Sequence, residues 1–376
     1  MRLGRPVAVL EACLIAVCLC VAAPAAAQGT TVKSPRPTPK PDTTRWEIEA
    51  HVTYGGSDPA SGGSGKLPSA GPTFQTAGGF DSRHVPTWYF GDGAQLLNDT
   101  LQSLGRPERI TPLDNMLTGA SAEQTTGHGF GVRVTHRWKP KLTIEAGFEF
   151  SEATYEINSS TRTALKATSD SFLVAFGGLA ASAQGAAFIN PQISSGFSSA
   201  NGTGAEMLAT GSLVLDFRRG KRLSPYLVGG GGVAISTGNA SATLQGRYRF
   251  DLPSSAHVDE SDRVTIRFAG GMGLVVVGGG GVKFRVWRKF GVMGDARVLA
   301  VENHLNTVVD ASPEVVESLP ADALWLNLTP SIQFSTNPST GHSSSLGGTS
   351  LSGFKTLAGS GYRSRYTLSV GAYVRF

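Results

Sequence analysis

The chain has 376 residues, of which 48 are glycine and only 16% are charged, and its formal net charge is +5. A charge this small for the length does not indicate nucleic-acid binding. The three cysteines, Cys13, Cys18 and Cys20, all lie near the N-terminus. Disulfides, thiolate catalysis and cysteine-ligated metals are therefore excluded from the rest of the chain.

The first residues have the pattern of a secretory signal. Arg2 and Arg5 precede a mostly apolar run, and Ala25, Ala26 and Ala27 supply a small-residue cleavage site. This pattern predicts a cleaved signal peptide over 1–27. The alternative, an uncleaved anchor helix, is disfavoured because the run is short and is interrupted by Glu11.

Residues 28–44 contain the sequence SPRPTPKPD and lack the apolar residues of a core. We expect an extended, solvated, proline-rich linker in the periplasm. The alternative is a basic arm that touches anionic surfaces through Lys33, Arg36 and Lys40.

Eight later segments alternate between apolar and polar residues, which is typical of strands with two different faces. In the first, Trp46, Ile48 and Val52 share one face, and Glu47 and Glu49 share the other. The remaining seven segments are 130–138, 142–150, 209–217, 223–235, 268–286, 290–300 and 366–376.

The connections between these segments alternate in length. Three are short and basic, and four are long, near 56–127, 152–206, 236–265 and 302–365. Short periplasmic turns and long external loops are typical of outer-membrane barrels. A soluble sandwich would also bury an apolar face, but its loops follow no such rule.

The predicted fold is therefore all-β, an eight-stranded antiparallel transmembrane β-barrel over 45–376 with long external loops. The apolar face carries no charge at membrane depth, where an arginine or lysine would cost about 2–4 kcal/mol. Ten strands are possible, because WLNLTPSIQF at 325–334 also alternates and another strand could lie near 172–179. We assign 325–334 to the fourth external loop as a hairpin arm above the membrane.

The last strand, YTLSVGAYVRF, resembles the C-terminal assembly signal of outer-membrane proteins. Its apolar residues stand at every second position and end in phenylalanine: Tyr366, Leu368, Val370, Ala372, Val374 and Phe376. The strand pair GGGGVKFRVWRKFGVMGDARVLAV also resembles the penultimate hairpin of the OmpA-like outer-membrane β-barrel family. The resemblance implies an eight-stranded barrel inserted by the barrel-assembly machinery, here without the peptidoglycan-binding domain of some members.

The opposite face of the strands predicts a network of charges inside the barrel. An eight-stranded barrel is filled by its own side chains, and buried charges must be paired. We expect a salt-bridged lumen closed to ions and sugars, formed by Glu47, Glu49, Glu145, Glu149, Asp216, Asp295, Arg133, Arg137, Lys283, Arg285, Arg297 and Arg375. The alternative, catalytic or proton-relay carboxylates, is disfavoured by the neighbouring arginines. His51 is expected to be a hydrogen-bonded residue rather than a metal ligand.

The first long connection contains an aromatic cluster, Trp88, Tyr89 and Phe90, followed by leucines at helical spacing. Such aromatics could contact a ligand or a partner. The alternative is that they pack on one another as a lid over the barrel, with Leu96, Leu97, Leu101 and Leu104 on a short helix.

These features predict a non-enzymatic protein of the cell outer membrane with a structural or surface-interaction role. Its expected partners are outer-membrane lipid and lipopolysaccharide, and the barrel-assembly machinery during biogenesis. No cofactor, catalytic residue, metal site or nucleic-acid partner is expected. The alternative is a porin-like channel for small solutes or hydrophobic compounds; a hydrolase or acyltransferase is disfavoured because no Ser/His/Asp set converges.

Overall fold

The structure is a computed structural model. It describes residues 45–60, 62–75, 81–182, 188–217, 221–251, 257–315, 326–328, 332–334, 344–347 and 350–376. The predicted signal peptide and linker, 1–27 and 28–44, lie outside the described residues.

Strands dominate the described chain, with three helices between them. The strands are β1 Trp46–Ser57, β2 Gly63–Gly65, β3 Thr73–Gln75, β4 Asp81–Arg83, β5 Ala122–Lys139, β6 Leu142–Ile157, β7 Ile189–Ala200, β8 Gly202–Asp216, β9 Leu223–Ser236, β10 Asn239–Asp251, β11 His257–Ala269, β12 Met272–Arg285, β13 Phe290–Glu302, β14 Asn306–Val315, β15 Leu326–Leu328, β16 Ile332–Phe334, β17 Leu351–Gly359 and β18 Tyr362–Arg375. The helices are α1 Gly91–Ser103, α2 Asp114–Thr118 and α3 Ser159–Ala180. No described helix is both long and apolar enough to span a membrane.

Eight strands close into the predicted antiparallel barrel, in the order β1-β18-β13-β12-β9-β8-β6-β5. Closure joins the first and last described strands, because β1 pairs with β18 on one side and with β5 on the other. Along β13 exposed and buried residues alternate almost without a break, as the period of two in the sequence predicts. The predicted fold class is confirmed.

The outer surface of the barrel is an apolar belt. Side chains such as Val52, Phe130 and Val370 are 60% or more exposed although they are fully apolar. Tryptophans and phenylalanines mark the belt's edge at Trp46, Trp138, Trp287, Phe290 and Phe376, where aromatic girdles of transmembrane barrels lie. The belt therefore faces lipid.

The two ends of the barrel differ. At one end, which we call the turn rim, lie the connections 140–141 and 286–289 and the described residues 217, 221 and 222 between β8 and β9, and the first and last described strands meet there. At the other end the chain continues into a six-stranded sheet, β2-β17-β14-β11-β10-β7, with the three helices and the hairpins β3–β4 and β15–β16. We call this second part the extramembrane unit.

The extramembrane unit has a large core of its own. Alternate residues of β10, including Leu244, Tyr248 and Phe250, are buried against α3 and the segment before α1. The rings of Phe176 and Tyr248 stack with centroids 4.2 Å apart, and Phe172 lies 4.5 Å from Phe176. Aromatic stacking and apolar burial therefore hold this unit together.

Three details of the sequence analysis need correction. The ten-stranded alternative is wrong, because 172–179 belongs to α3 rather than to a barrel strand. The sixth predicted strand starts too early, because Phe268 belongs to β11 of the extramembrane sheet and the barrel strand begins at Met272. Within 325–334 the described parts form the hairpin β15–β16, outside the barrel; Trp325 lies outside the described residues.

Tight turns link the barrel to the extramembrane sheet. β9 passes into β10 through Thr237 and Gly238, and Gly238 has φ +103°. A side chain there would also approach the Cα of Gly204 to 2.7 Å. Glycine is needed at this turn because other residues rarely adopt such a φ.

Candidate functional site

The lumen is the candidate functional site, because most of its charged side chains are fully buried. Near the turn rim, Glu47 forms ion pairs with Lys283 and Arg375, with 2.6 Å between its carboxylate and the Nε of Arg375. Lys283 lies over the rings of Tyr226 and Tyr373, 5.2 and 5.7 Å from their centroids. Residues far apart in sequence thus close this end of the lumen.

A second group lies in the middle of the barrel. Arg133 donates to Glu49 at 2.9 Å and to Asp295 at 2.6 Å. Arg297 joins Asp295 to Glu145, and its Nη1 lies 2.7 Å from the Glu145 carboxylate. The Tyr226 hydroxyl also donates to Asp295, at 2.8 Å. These charge-assisted contacts connect β1, β5, β6 and β13 across the lumen.

A third group was missed by the sequence analysis. Glu206 pairs with Arg363 and with Arg365, the latter at 2.5 Å, and Arg365 also pairs with Glu149 at 2.5 Å. Gln124 donates to Glu206 at 3.1 Å. The predicted strands stopped short of Gln124, Glu206 and Arg363, which placed these three residues in loops, and Arg365, at the start of the last predicted strand, was not included in the predicted network. Continuing the period of two outward along β8 and β18 would have found Glu206, Arg363 and Arg365, but β5 shifts its register between Thr126 and Gly129, so Gln124 could not be found in this way.

The remaining predicted network members lie near the turn rim. Asp216 is buried and accepts a hydrogen bond from Thr143 at 3.0 Å. Arg137 and Arg285 are only half-buried. Arg285 makes no ion pair with a described residue, so it stands at the edge of the network rather than within it.

Part of the lumen is apolar, which the predicted charged-or-small interior did not include. Leu208, Val275, Val277 and Leu299 form one cluster with Ala234 and Val301. It lies on the wall made by β8, β9, β12 and β13, between the middle group and the extramembrane unit. Apolar packing and ion pairs therefore fill the barrel together.

The space left in the lumen is small. A cavity lined by His51, Arg133, Arg297 and Leu208 holds about 20 Å³, which is room for one or two water molecules. The glycine runs 229–232 and 278–281 lie within β9 and β12, so they form strands rather than phosphate-binding loops. At Gly281 a Cβ would come within 2.4 Å of the Asp295 Cβ, so glycine leaves the space that Asp295 occupies.

His51 does not have the predicted hydrogen-bonding role. Its Nδ1 lies 3.3 Å from a Glu49 oxygen, but neither ring nitrogen makes a hydrogen bond with a described residue. The ring instead packs against Gly131, and the His51 Cα and Cβ lie beside Gly371. Among the described residues no group of three or more His, Cys, Asp and Glu is placed to hold a metal ion.

The structure also corrects the candidate loop contact. Trp88, Tyr89 and Phe90 are 0%, 0% and 2% exposed. The Trp88 indole donates to the Tyr248 hydroxyl at 3.1 Å, and the Tyr89 ring stacks 5.3 Å from Phe172. These aromatics are core residues, and no ligand can reach them in this arrangement. The leucines that follow lie on α1, where Leu97 and Leu101 are buried.

Two buried carboxylates in the extramembrane unit were not singled out from the sequence. Glu260 and Asp262 lie on the inner face of β11 and are fully buried. Glu260 accepts from Tyr248, and Asp262 accepts from the backbone of Trp88 at 2.7 Å and from Thr87 at 3.0 Å. Burial raises the pKa of each carboxyl to about 7, although these hydrogen bonds oppose the shift. Their inward position breaks the apolar pattern of β11, which hid this strand from sequence analysis.

The proposed assembly residues share the outward face of β18. Tyr366, Val370, Val374 and Phe376 are exposed, and Leu368 and Ala372 are half-buried on the same face. Phe376 is tied to β1, because its carbonyl accepts from Trp46 at 3.1 Å and its amide donates to Trp46 at 3.0 Å. The last residue thus completes the seam that closes the barrel.

Comparisons with known proteins give no family. No family model and no curated protein matches the chain. Among solved structures it is similar to CarO of Acinetobacter baumannii, at 9% identity over 68% of this chain and 95% of that chain, with a TM-score of 0.23. It is also similar to the outer membrane protease OmpT of Escherichia coli, at 6% identity over 88% and 97%, with a TM-score of 0.27. The toluene transporter TodX of Pseudomonas putida matches at 9% identity over 89% and 90%, with a TM-score of 0.17.

Proposed function

We propose that this chain is a non-enzymatic, OmpA-like barrel of the cell outer membrane whose lumen is closed and whose extramembrane unit faces outward. The observation that carries this proposal is the lumen itself. Its ion pairs run from Glu47 at the turn rim to Glu206 at the other end, with an apolar cluster beside them. The barrel then has a structural role, and the extramembrane unit presents a surface for interaction.

The apolar belt and the asymmetry of the two ends support placement in the outer membrane. The turn rim faces the periplasm in this proposal, since short turns lie on that side in barrels of this kind. Lipid and lipopolysaccharide surround the belt, and the barrel-assembly machinery recognises the strand that ends at Phe376. The predicted N-terminal signal peptide directs the chain to export.

The energetics favour a closed lumen. Opening a water-filled path would require separating several buried pairs at once, for example Arg133 from Glu49 and Asp295. Each charge left without its partner in a buried site costs several kcal/mol. The same pairs support the absence of catalysis, because the lumen carboxylates are held by arginine and lysine rather than presented to a substrate.

The outer face of the extramembrane sheet supports a surface role. It is polar, and its charges are partly paired across strands: Arg247 with Asp259 at 2.5 Å, and Arg267 with Asp310 at 2.8 Å. A protein surface that carries charges of both signs in similar number remains soluble, and its exposed side chains can contact a partner.

One observation favours the second candidate, a pathway for hydrophobic compounds. The lumen cavity is partly apolar, lined by Leu208, Val277 and Leu299. A hydrophobic compound could enter only if this cavity widened, since it now holds about 20 Å³.

Surface proteolysis of intact cells tests the placement. Protease added outside should cleave the extramembrane unit and leave a membrane-protected fragment that contains the barrel strands. A Phe376→Asp variant should insert poorly, whereas Phe376→Tyr should insert normally. Full protection of the extramembrane unit in intact cells, or normal insertion of Phe376→Asp, would contradict the proposal.

Liposome swelling separates the two candidate functions. Proteoliposomes that contain the folded protein should swell no faster in small sugars than empty liposomes do. They should also take up toluene-sized hydrophobic compounds at the rate of empty liposomes. Faster uptake of the hydrophobic compound alone would favour the second candidate.

A further inference from the structure

The turn rim carries a ring of positive charge. Its exposed cations are Arg45, Lys139, Lys141, Lys221, Arg222, Arg288 and Lys289. The described carboxylates nearest this end, Glu47, Glu145 and Asp216, are 1%, 2% and 4% exposed. No described acidic side chain therefore offsets the ring at the surface.

The cations are fixed in place by the barrel. The Arg285 amide donates to the Arg222 carbonyl at 2.8 Å, and the Arg375 amide donates to the Lys289 carbonyl at 2.8 Å. The Arg137 amide donates to the Arg45 carbonyl at 2.9 Å. The backbones that carry the cations are thus bound to neighbouring strands, which keeps the attachment points of the positive side chains together at the rim.

The ring lies at the level of the aromatic edge of the belt. Lys139 Nζ is 5.2 Å from the ring centroid of Trp138, and the Arg222 guanidinium is 5.0 Å from that of Phe284. Trp287 is 76% exposed and directly precedes Arg288. Because such aromatics lie at the boundary between acyl chains and headgroups, the cations beside them lie among the headgroups.

We propose that the turn rim binds anionic phospholipid headgroups of the leaflet that it crosses. This inference rests on the proposed function, which puts the rim in the periplasmic leaflet. Clustered lysines and arginines at a membrane surface attract anionic lipids. The extramembrane unit mixes both signs, as in the Arg247–Asp259 pair, so the preference belongs to the turn rim.

The test measures lipid selectivity by quenching of tryptophan fluorescence. Trp46, Trp138 and Trp287 all lie at this rim. The protein is reconstituted into vesicles of phosphatidylcholine and phosphatidylglycerol with the same acyl chains, and one of the two lipids is brominated in each series. We expect several-fold preferential association of phosphatidylglycerol at 0.15 M salt and a clear loss at 1 M salt, where screening acts over about 3 Å.

A six-site variant tests the rim directly: Lys139→Gln, Lys141→Gln, Lys221→Gln, Arg222→Gln, Arg288→Gln and Lys289→Gln. Only Arg45 of the ring remains in this variant, so its preference for phosphatidylglycerol should fall several-fold. A matched control removes six exposed or half-exposed cations of the extramembrane unit: Lys66→Gln, Arg162→Gln, Lys166→Gln, Arg249→Gln, Arg263→Gln and Lys355→Gln. The control should keep the preference of the original protein.

The outcomes separate this inference from the function on which it rests. Heat-modifiable migration on gels first reports whether each protein is inserted and folded. An inserted protein with no preference for phosphatidylglycerol would overturn the inference and leave the barrel intact. Failure to insert in either lipid would instead contradict the proposed function. The protein could instead sediment with purified cell-wall sacculi, lose this sedimentation in the six-site variant, and show no lipid preference. That result would mean that the ring binds the cell wall, and it would also overturn the inference.

Discussion

The barrel lumen and the core of the extramembrane unit are both buried, but polar groups are stabilised differently in the two. In the lumen each central carboxylate lies against arginine or lysine, as Asp295 does against Arg133 and Arg297. In the extramembrane core, Glu260 and Asp262 lie among aromatic rings and accept hydrogen bonds from neutral donors. The lumen therefore depends on charge, whereas the extramembrane core depends on apolar packing and on carboxyls that are easily protonated.

The difference follows from what surrounds each part. A barrel in lipid must put an apolar face outward, so the alternate positions supply an interior that is largely polar, and buried charges there are tolerated only in pairs. The extramembrane unit stands in water and buries its apolar face in the ordinary way. Removing a charge should therefore damage the lumen, and removing a ring should damage the extramembrane unit.

The largest effect is expected for Arg133→Met. This change leaves Glu49 and Asp295 buried without one of their cations, and loss of one partner of a buried pair costs about 3–5 kcal/mol. The loss of unfolding free energy is measured by urea unfolding of the reconstituted barrel, with heat-modifiable migration on gels as the readout of the folded fraction. The control Arg263→Met removes an exposed arginine of the extramembrane sheet and should change barrel stability little. Equal stability of both variants would show that the lumen pairs contribute little.

A loss of similar size, in the other part of the molecule, is expected for Phe176→Ala. Truncating a fully buried ring costs about 3–5 kcal/mol, and Phe176 stacks on Tyr248 and Phe172. Limited proteolysis should cut the extramembrane unit faster while heat-modifiable migration of the barrel stays unchanged. The control Leu173→Ala changes a side chain of the same helix that is 39% exposed. Loss of the folded barrel in Phe176→Ala would show that the two parts do not respond separately.

The two parts should also differ in their response to pH. Burial raises the pKa of Glu260 and of Asp262 to about 7, above the values near 4 that they have when unfolded. The folded extramembrane unit thus retains protons between about pH 4 and pH 7 that the unfolded chain loses, so the stability that these two carboxyls contribute is greatest below about pH 4, falls between about pH 4 and pH 7, and falls no further above that. Each pKa unit corresponds to about 1.4 kcal/mol.

Proteolysis rates of the extramembrane unit between pH 5 and pH 9 measure this effect. The rate should rise with pH up to about pH 7 in the original protein, once it is corrected for the protease's own pH profile. It should depend less on pH in the double variant Glu260→Gln and Asp262→Asn, whose amides keep the acceptor oxygens. A steep rise that persists in the double variant would assign the pH response to other groups.

The smallest effect is expected for Lys166→Ala on α3. Lys166 pairs with Asp170 at 2.7 Å, and both side chains are more than 60% exposed. Exposed pairs at this spacing contribute about 0.3–0.5 kcal/mol, and salt screens them. Proteolysis of the extramembrane unit should change barely at all, in contrast to the Arg133 variant's effect on the barrel. A loss above about 1 kcal/mol would mean that charge matters in both parts of the molecule.

The membrane strands could be predicted from the sequence because lipid imposes one rule on all of them. Every second residue from Phe290 to Ala300 of β13 and from Tyr366 to Val374 of β18 lies on the outward face and is apolar or glycine, so the period of two is not masked by tertiary packing. The inward charges follow from the same period, which is why Arg133, Arg297 and Lys283 could be named in advance.

The strands of the extramembrane sheet could not be predicted from the sequence, because their packing interrupts the alternation of apolar and polar residues. The apolar face of β10 is interrupted at Gly246, where the ring of Phe172 fills the space that a Cβ would occupy, at 2.4 Å. The apolar face of β11 is interrupted by Glu260 and Asp262. These strands therefore lack the alternation that predicts a strand, and the partners that explain the interruptions, such as Phe172 for Gly246 and Trp88 for Asp262, are distant in sequence.

The most direct test of the account is the conductance of the folded protein in planar bilayers. The ion pairs of the lumen and the small cavity beside Arg133 and Arg297 predict that the original protein gives no large, steady conductance in 1 M KCl. Insertion is verified on the same preparation by heat-modifiable migration. A large, steady, single-channel conductance from the inserted protein would contradict the closed lumen and would favour a porin-like channel.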